Sequence, residues 1–202
     1  MATRQYTSGN LQRKSDFCVT YIPAKSGKII TTIHSKTAVL HGSKLHDICS
    51  TTLSDLHISY GRLEVTDTGG QYFVLKARIE AVVKAANPKT VAESLPEFKK
   101  HAHYKSRADR FRRSRLYLPG NQAKLMLNAG IHKPDAIILD LEDSVALAEK
   151  NTARLIVRNA LRTLDFFGAE RMVRINQRKT GLKDLEAVIP HNVHLILIPK
   201  VE

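Results

Sequence analysis

Apolar and polar positions follow one rhythm in the first half of the chain and another in the second. In the second half, apolar runs, broken only by Asp140 and Arg174, occupy residues 116–118, 137–141, 172–175 and 195–198. Each ends in residues that turn the chain or carry charge: Pro119-Gly120-Asn121, Glu142-Asp143-Ser144, Arg174-Ile175-Asn176 and Pro199-Lys200. Between the runs the spacing is helical, over 123–129, over 149–164 with Ala153, Ile156, Val157, Ala160, Leu161 and Leu164 on one face, and over 184–189. Apolar strands that alternate with helices predict a parallel sheet covered by helices, with its ligand site at the C-terminal ends of the strands. Four strands and three connecting helices are about half of an eight-fold barrel, so residues 113–202 are expected to form a partial (β/α)8 TIM-type barrel of about four βα units. Half a barrel leaves its outer strands unpaired and its inner face open. The expectation is therefore that another chain supplies the rest, in an oligomer, or that the gene product is truncated.

In the first half the pattern predicts strands at 17–22, 29–33 and 62–66, with a turn at 23–28 joining the first two. Leu45, Ile48, Cys49, Thr52 and Leu56 fall at helical spacing, which places one helix at about 43–57. The apolar stretch 72–75 leads into 77–86. One helix against a small sheet makes an α+β domain over residues 1–90, with no catalytic constellation in it.

Charge adds a boundary. Residues 99–115 carry eight basic side chains and one acidic one, more than half of the formal +13. Residues 91–112, opened by the prolines at 88 and 96, are expected to be a basic, solvated linker, with docking on an acidic partner or an anionic nucleotide tail as the functional alternative. A nucleic-acid partner is not expected, because stacking aromatics are not interleaved with the cations. No apolar run reaches the roughly 18 residues of a membrane helix, and the first residues lack the apolar core of a signal peptide. A cytoplasmic protein without membrane contact is expected. Cys18 and Cys49 have no CxxC partner and read as buried, reduced thiols. His101 and His103 have no ligand-spaced acid beside them, so no metal site is expected.

Arg113-Ser114 before Leu116-Tyr117-Leu118-Pro119-Gly120-Asn121, then Leu139-Asp140-Leu141-Glu142-Asp143-Ser144-Val145, Val173-Arg174-Ile175-Asn176 and Ile198-Pro199-Lys200-Val201-Glu202, occur in this order. Together they resemble the N-terminal half of the citrate lyase beta subunit, within the aldolase/citrate lyase superfamily. Residues 11–86 resemble the gamma subunit of that complex, its acyl carrier protein, through Ser15-Asp16-Phe17-Cys18-Val19-Thr20 and Leu75-Lys76-Ala77-Arg78-Ile79-Glu80-Ala81. The resemblance implies cleavage of citrate, or a related hydroxyacyl group carried as a thioester, to oxaloacetate and an acetyl thioester. It implies the citrate lyase alpha and beta subunits as partners, and a covalent phosphoribosyl-dephospho-coenzyme A arm, which by position would sit on Ser15, with Ser8 as the alternative. Magnesium serves the family, but through acids beyond the stretch present here, so no metal ligand is expected. A non-catalytic carrier and docking protein is the alternative function.

Such a cleavage needs a base at the hydroxyl, a cation at the carboxylate and stabilisation of an enolate. Arg174, inside an apolar strand, is the leading candidate: its guanidinium can grip a carboxylate, or form a structural ion pair with Asp140 or Glu142. In the resemblance the matching arginine contacts the substrate carboxylate, and Arg113 matches a second active-site arginine. Glu142 is expected to be catalytic and Asp143 to bind substrate, unless Asp143 and Ser144 cap a turn. Gly120 is expected to permit a tight turn, and the amides of Gly120 and Asn121 to meet an anion. Lys200 contacts ligand or pairs with Glu202.

Overall fold

Val19 stands opposite Val65, and Tyr21 opposite Leu63, so the buried positions of two strands share one face. That face organises the first of two units, which ends at Leu95; the second begins at Pro96. The computed structural model describes residues 4–201. In the first unit β1 (Tyr6–Ser8), β2 (Phe17–Pro23), β3 (Ile29–His34) and β4 (Gly61–Asp67) form one sheet in the order β1-β2-β4-β3. β2 is antiparallel to β1 and β4, whereas β3 runs parallel to β4. The turn after β2 therefore does not make a hairpin, because β4 inserts between the two strands it joins.

Parallel pairing of β3 with β4 requires a crossover, and α1 (Ala38–Asp55) provides it. α2 (Tyr72–Ala86) packs on β1 and β2, α1 on β3, and the helices on each other. The second helix corrects the expectation of a single one. Tyr72-Phe73-Val74-Leu75 has strand-like composition, and burial extends around most of α2, including Arg78 and Glu80, which blurs the 3.6-residue period. α1 also starts five residues earlier than expected, since Val39 and Leu40 in its first turn are exposed and give no buried stripe.

The second unit has four parallel strands in chain order: β5 (Arg115–Pro119), β6 (Ala136–Asp140), β7 (Glu170–Arg174) and β8 (Leu195–Leu197). Between them lie α3 (Ala123–Leu127), α4 (Lys150–Thr163) and α5 (Arg178–Val188). Every residue of β6 is buried, as its central place demands, while β5 and β8 at the edges are partly exposed. One face of the sheet carries Ala136, Ile138 and Met172 with Leu195 and Leu197 packed against them. Burying each large side chain contributes ~1.5–3 kcal/mol. The predicted buried face of α4 is observed at Ala153, Ile156, Val157, Ala160 and Leu161; Leu164 lies just past its end. α5 starts six residues before the expected 184, because its first turn, Arg178-Lys179-Thr180-Gly181, is polar in sequence. That turn packs closely all the same: a Cβ on Gly181 would stand 2.1 Å from the carbonyl oxygen of Asn176.

The basic stretch is not the solvated linker expected at 91–112: from Pro96 onward it belongs to the second unit. The Lys99 amide donates to Arg162 O, Arg162 Nε donates to Pro96 O, and Tyr104 Oη donates to Ala169 O. Asn192 Nδ2 donates to the carbonyls of Ala102 and Tyr104. Glu170, buried at the start of β7, accepts from Ser106 Oγ at 2.7 Å and from Arg112 Nε and Nη2 at 2.5 and 2.9 Å. One buried carboxylate and a row of carbonyls thus collect a segment whose composition alone reads as free in water.

Candidate active site

Asp140 is the last residue of β6 and Arg174 the last of β7, and parallel register sets them side by side. Arg174 Nε donates to Asp140 Oδ1 and Nη2 to Oδ2, both at 2.7 Å, the parallel two-bond geometry of a guanidinium on a carboxylate. The chain turns immediately after Asp140. The amides of Glu142 and Ser144 donate to its two oxygens at 2.8 and 3.1 Å, so Asp140 caps the turn for which Asp143 and Ser144 were candidates. Lys150 of α4 seals the same turn, donating to the carbonyls of Leu141 and Glu142 at 2.9 and 2.7 Å.

Glu142, Asp143 and Lys200 close the group. Lys200 Nζ donates to Glu142 Oε1 at 2.8 Å and to Asp143 Oδ1 at 3.1 Å. Arg174 Nη1 lies farther off, 3.4 Å from Glu142 Oε2 and 3.6 Å from Asp143 Oδ2. One edge of the guanidinium is therefore committed to Asp140, and the other has only long contacts that an incoming carboxylate can replace. The guanidinium also lies over the Tyr117 ring of β5, 5.4 Å from its centroid, and Tyr117 is half exposed.

Burial pushes the Asp140 carboxyl upward, but hydrogen bonds from Arg174, Ser144 and Glu142 outweigh it and hold the group at about 2. Asp140 raises Arg174 in turn. Lys200 and Glu142 lower Asp143, and the two carboxylates raise Lys200. The site is a charged constellation, two cations among three acids.

Four of the candidates thus meet: Arg174, Glu142, Asp143 and Lys200. Arg113 does not join them. It precedes β5 and lies at the N-terminal end of the parallel strands, where Nε and Nη2 donate to Asp135 at 3.3 and 3.2 Å. A five-residue strand, ~17 Å long, separates the two ends. Gly120 lies beside Asp140 but does not offer its amide to an anion, since that amide donates to Asp140 O at 2.7 Å. Its missing side chain matters for packing: a Cβ would stand 2.7 Å from Asp140 O and 2.9 Å from Leu141 Cδ2. Asn121 is buried, and its Nδ2 donates to Glu149 Oε2 at 2.5 Å. Asp140 and Tyr117 complete the constellation without having been site candidates. Their signal was register, since both share with Arg174 the face that parallel pairing aligns.

In the first unit Ser15 lies in the turn before β2, half-buried, with φ +58° and its amide donating to Thr68 O at 3.0 Å. Ser8 is buried, and its Oγ accepts from Arg78 Nη1. Glu202, the expected partner of Lys200, lies outside the described residues. Among the described residues no group of three or more His, Cys, Asp or Glu side chains is arranged to hold a metal ion. In the strand-end group Glu142 and Asp143 face Lys200 and Arg174. Cys49 is buried and Cys18 partly so; both are free thiols, and burial pushes Cys49 up to about 12. No helix among the described residues is long and apolar enough to cross a membrane.

Comparison with known proteins agrees with both units. The family model described as HpcH/HpaI aldolase/citrate lyase matches residues 113–202, and an acyl carrier model described as malonate decarboxylase delta subunit matches residues 3–86. The citrate lyase subunit beta of Leuconostoc mesenteroides subsp. cremoris is 42% identical over 96 residues, covering 46% of this chain and 32% of that protein. The subunit of the same name from Haemophilus influenzae is 43% identical over 95 residues, 46% and 33% of the two chains. A (3S)-malyl-CoA thioesterase of Cereibacter sphaeroides is 44% identical over 91 residues, 44% and 32%. The chain spans about a third of the length of these curated relatives. Residues 113–202 are thus similar to the HpcH/HpaI aldolase/citrate lyase family, and residues 3–86 of the same chain to an acyl carrier family described as malonate decarboxylase delta subunit.

Proposed function

We propose that the chain is a component of a citrate lyase, with an acyl carrier domain and a lyase-type domain that forms part of a TIM-type barrel. It acts on citrate, or a related hydroxyacyl group held as a thioester, in the cytoplasm and together with alpha and beta subunits. The observation that carries this reading is Arg174, fixed along one edge by Asp140 and loosely held along the other at the C-terminal ends of the strands. A substrate carboxylate would exchange the long contacts of Nη1 for short charge-assisted bonds, with Lys200 close enough to share the charge. Glu142, freed from Nη1 by that exchange, is placed to accept a proton from a substrate hydroxyl.

Ser15 suits the phosphoribosyl-dephospho-coenzyme A arm because it is only partly buried and lies in a turn, whereas Ser8 is buried with its hydroxyl engaged. When attached, the arm supplies a thiol that carries the acyl group as a thioester. The test is oxaloacetate release from citryl thioester by the full chain combined with alpha and beta subunits from which the native beta activity is omitted. Release that Arg174→Ala abolishes and Arg174→Lys restores only weakly supports the reading; no release, or release indifferent to Arg174, rejects it. A second reading, a non-catalytic carrier and docking protein, is favoured by the engagement of Glu142 with both Lys200 and Arg174, which ties up the acid that would serve as base. It predicts arm loading and subunit binding without oxaloacetate release.

A further inference from the structure

The turn between β1 and β2, which carries Ser15, is gripped from two sides. On one side Asp16 is buried and receives two bonds from Arg78 of α2, Nε to Oδ1 at 3.0 Å and Nη2 to Oδ2 at 2.6 Å. The remaining terminal nitrogen of Arg78 donates to Ser8 Oγ at 3.2 Å, so one guanidinium ties down both ends of the turn. On the other side Thr68, just after β4, makes reciprocal backbone bonds. Its amide donates to Asp16 O at 3.1 Å, and its carbonyl accepts from the Ser15 amide at 3.0 Å. Its hydroxyl lies 2.7 Å from both Asp16 O and Arg13 O and shares one hydrogen between them.

Two glycines clear the space for this grip. A Cβ on Gly9 would stand 1.9 Å from Phe17 O, and one on Gly70 would stand 2.4 Å from the Phe17 ring and 2.8 Å from Asp16 O. Within the grip Ser15 has φ +58°, a left-handed conformation that a residue with a side chain keeps only where its surroundings impose it. A buried ion pair is a poor source of stability compared with apolar packing, whereas it does fix geometry. Here it fixes the residue next to a half-buried serine.

We propose that Asp16, Arg78 and Thr68 are positioning residues that hold the Ser15 turn in a single conformation, so that the Ser15 hydroxyl is presented for modification and the arm leaves from a rigid root. This rests on the carrier reading of the first unit. The test uses the full chain, the activated arm and an enzyme that transfers it, with loading followed by intact mass and backbone rigidity by amide hydrogen exchange. Thr68→Val removes the shared hydroxyl and keeps the backbone bonds. It slows loading about tenfold and speeds exchange at residues 13–17 about tenfold, the effect of losing one hydrogen bond, while Thr68→Ser restores both. Asp16→Asn has a larger effect, but it leaves the buried Arg78 without its counter-charge and can unfold the unit, so Thr68→Val carries the test. Wild-type loading by Thr68→Val, or unchanged exchange at 13–17, overturns the proposal. A wild-type chain that gains no mass overturns the carrier reading instead, and a loss of protection at 13–17 in Thr68→Val would then still establish the grip itself.

Discussion

Asp140→Asn isolates the residue on which the strand-end constellation depends. The substitution keeps the shape, removes the charge and turns one acceptor oxygen into a donor that faces two donors, either Arg174 Nη2 and the Ser144 amide or Arg174 Nε and the Glu142 amide. The pKa gives the scale. A fall from the ordinary 3.8 to about 2 in the folded state corresponds to about 2 kcal/mol of stability at neutral pH. The geometry agrees in size. Asp140 is 2% exposed and Arg174 22%, and breaking a fully buried pair from one side costs ~3–5 kcal/mol, a value reduced here by the partial exposure of Arg174 and by its remaining contacts with Glu142 and Asp143. The assay is urea unfolding of the full chain, read by hydrogen exchange of peptides from each unit separately, with the first unit as internal control. The second unit of the variant should lose about 2 kcal/mol at pH 7. Because Asp140 is depressed in the folded state, its contribution is complete above the unfolded pKa, near 4, and is lost as pH falls through about 2. The difference between wild type and variant should therefore be flat from pH 7 to about 4 and shrink below that. A shift under about 0.5 kcal/mol, or a difference unchanged down to pH 2, refutes the assignment of Asp140 as the hub.

The same close packing predicts that Gly120→Ala destabilises the second unit by about 1–3 kcal/mol in the same assay, since Asp140 O cannot retreat from a Cβ 2.7 Å away. Glu170→Gln should release the 99–115 segment, seen as faster tryptic cleavage at Arg107, Arg110 and Arg112 while the sheet stays protected; cleavage at the wild-type rate would mean that Glu170 does not hold the segment. Cys49, with its thiol pushed up to about 12 by burial, should resist alkylation at pH 8 in the folded chain and react fully in urea. Prompt labelling of folded chain at Cys49 would show that the α1 face opens.

The second unit was legible because its strands are short, apolar and punctuated at their C-terminal ends, so runs and breaks fall directly on β5 to β8. The first unit was less so. α2 hides its period by being buried around most of its circumference, and the insertion of β4 between β2 and β3 is a long-range pairing that no local turn signal encodes. The 99–115 segment misled for a third reason. Two of its cations, Arg110 and Arg112, find partners more than 55 residues away in sequence, Gly168 O and Glu170, and composition counts charges without their partners.

Site residues divided along the same line. Arg174, Glu142, Asp143 and Lys200 were visible as charges at the ends of apolar strands, and strand ends on one side of a parallel sheet converge whatever the loops do. Arg113 looks similar in sequence, a charge beside an apolar strand, but it precedes its strand, and in a parallel sheet that single difference puts it on the opposite side. Asp140 was weighed only as a possible partner of Arg174, because one side chain performs two tasks that sequence reading treats separately: it caps the turn that presents Glu142 and Asp143, and it fixes the guanidinium between them. Loss of Asp140 should consequently disturb turn and arginine together, whereas loss of Lys200, which is mostly exposed, should leave the turn intact and alter only the charge presented to an anion.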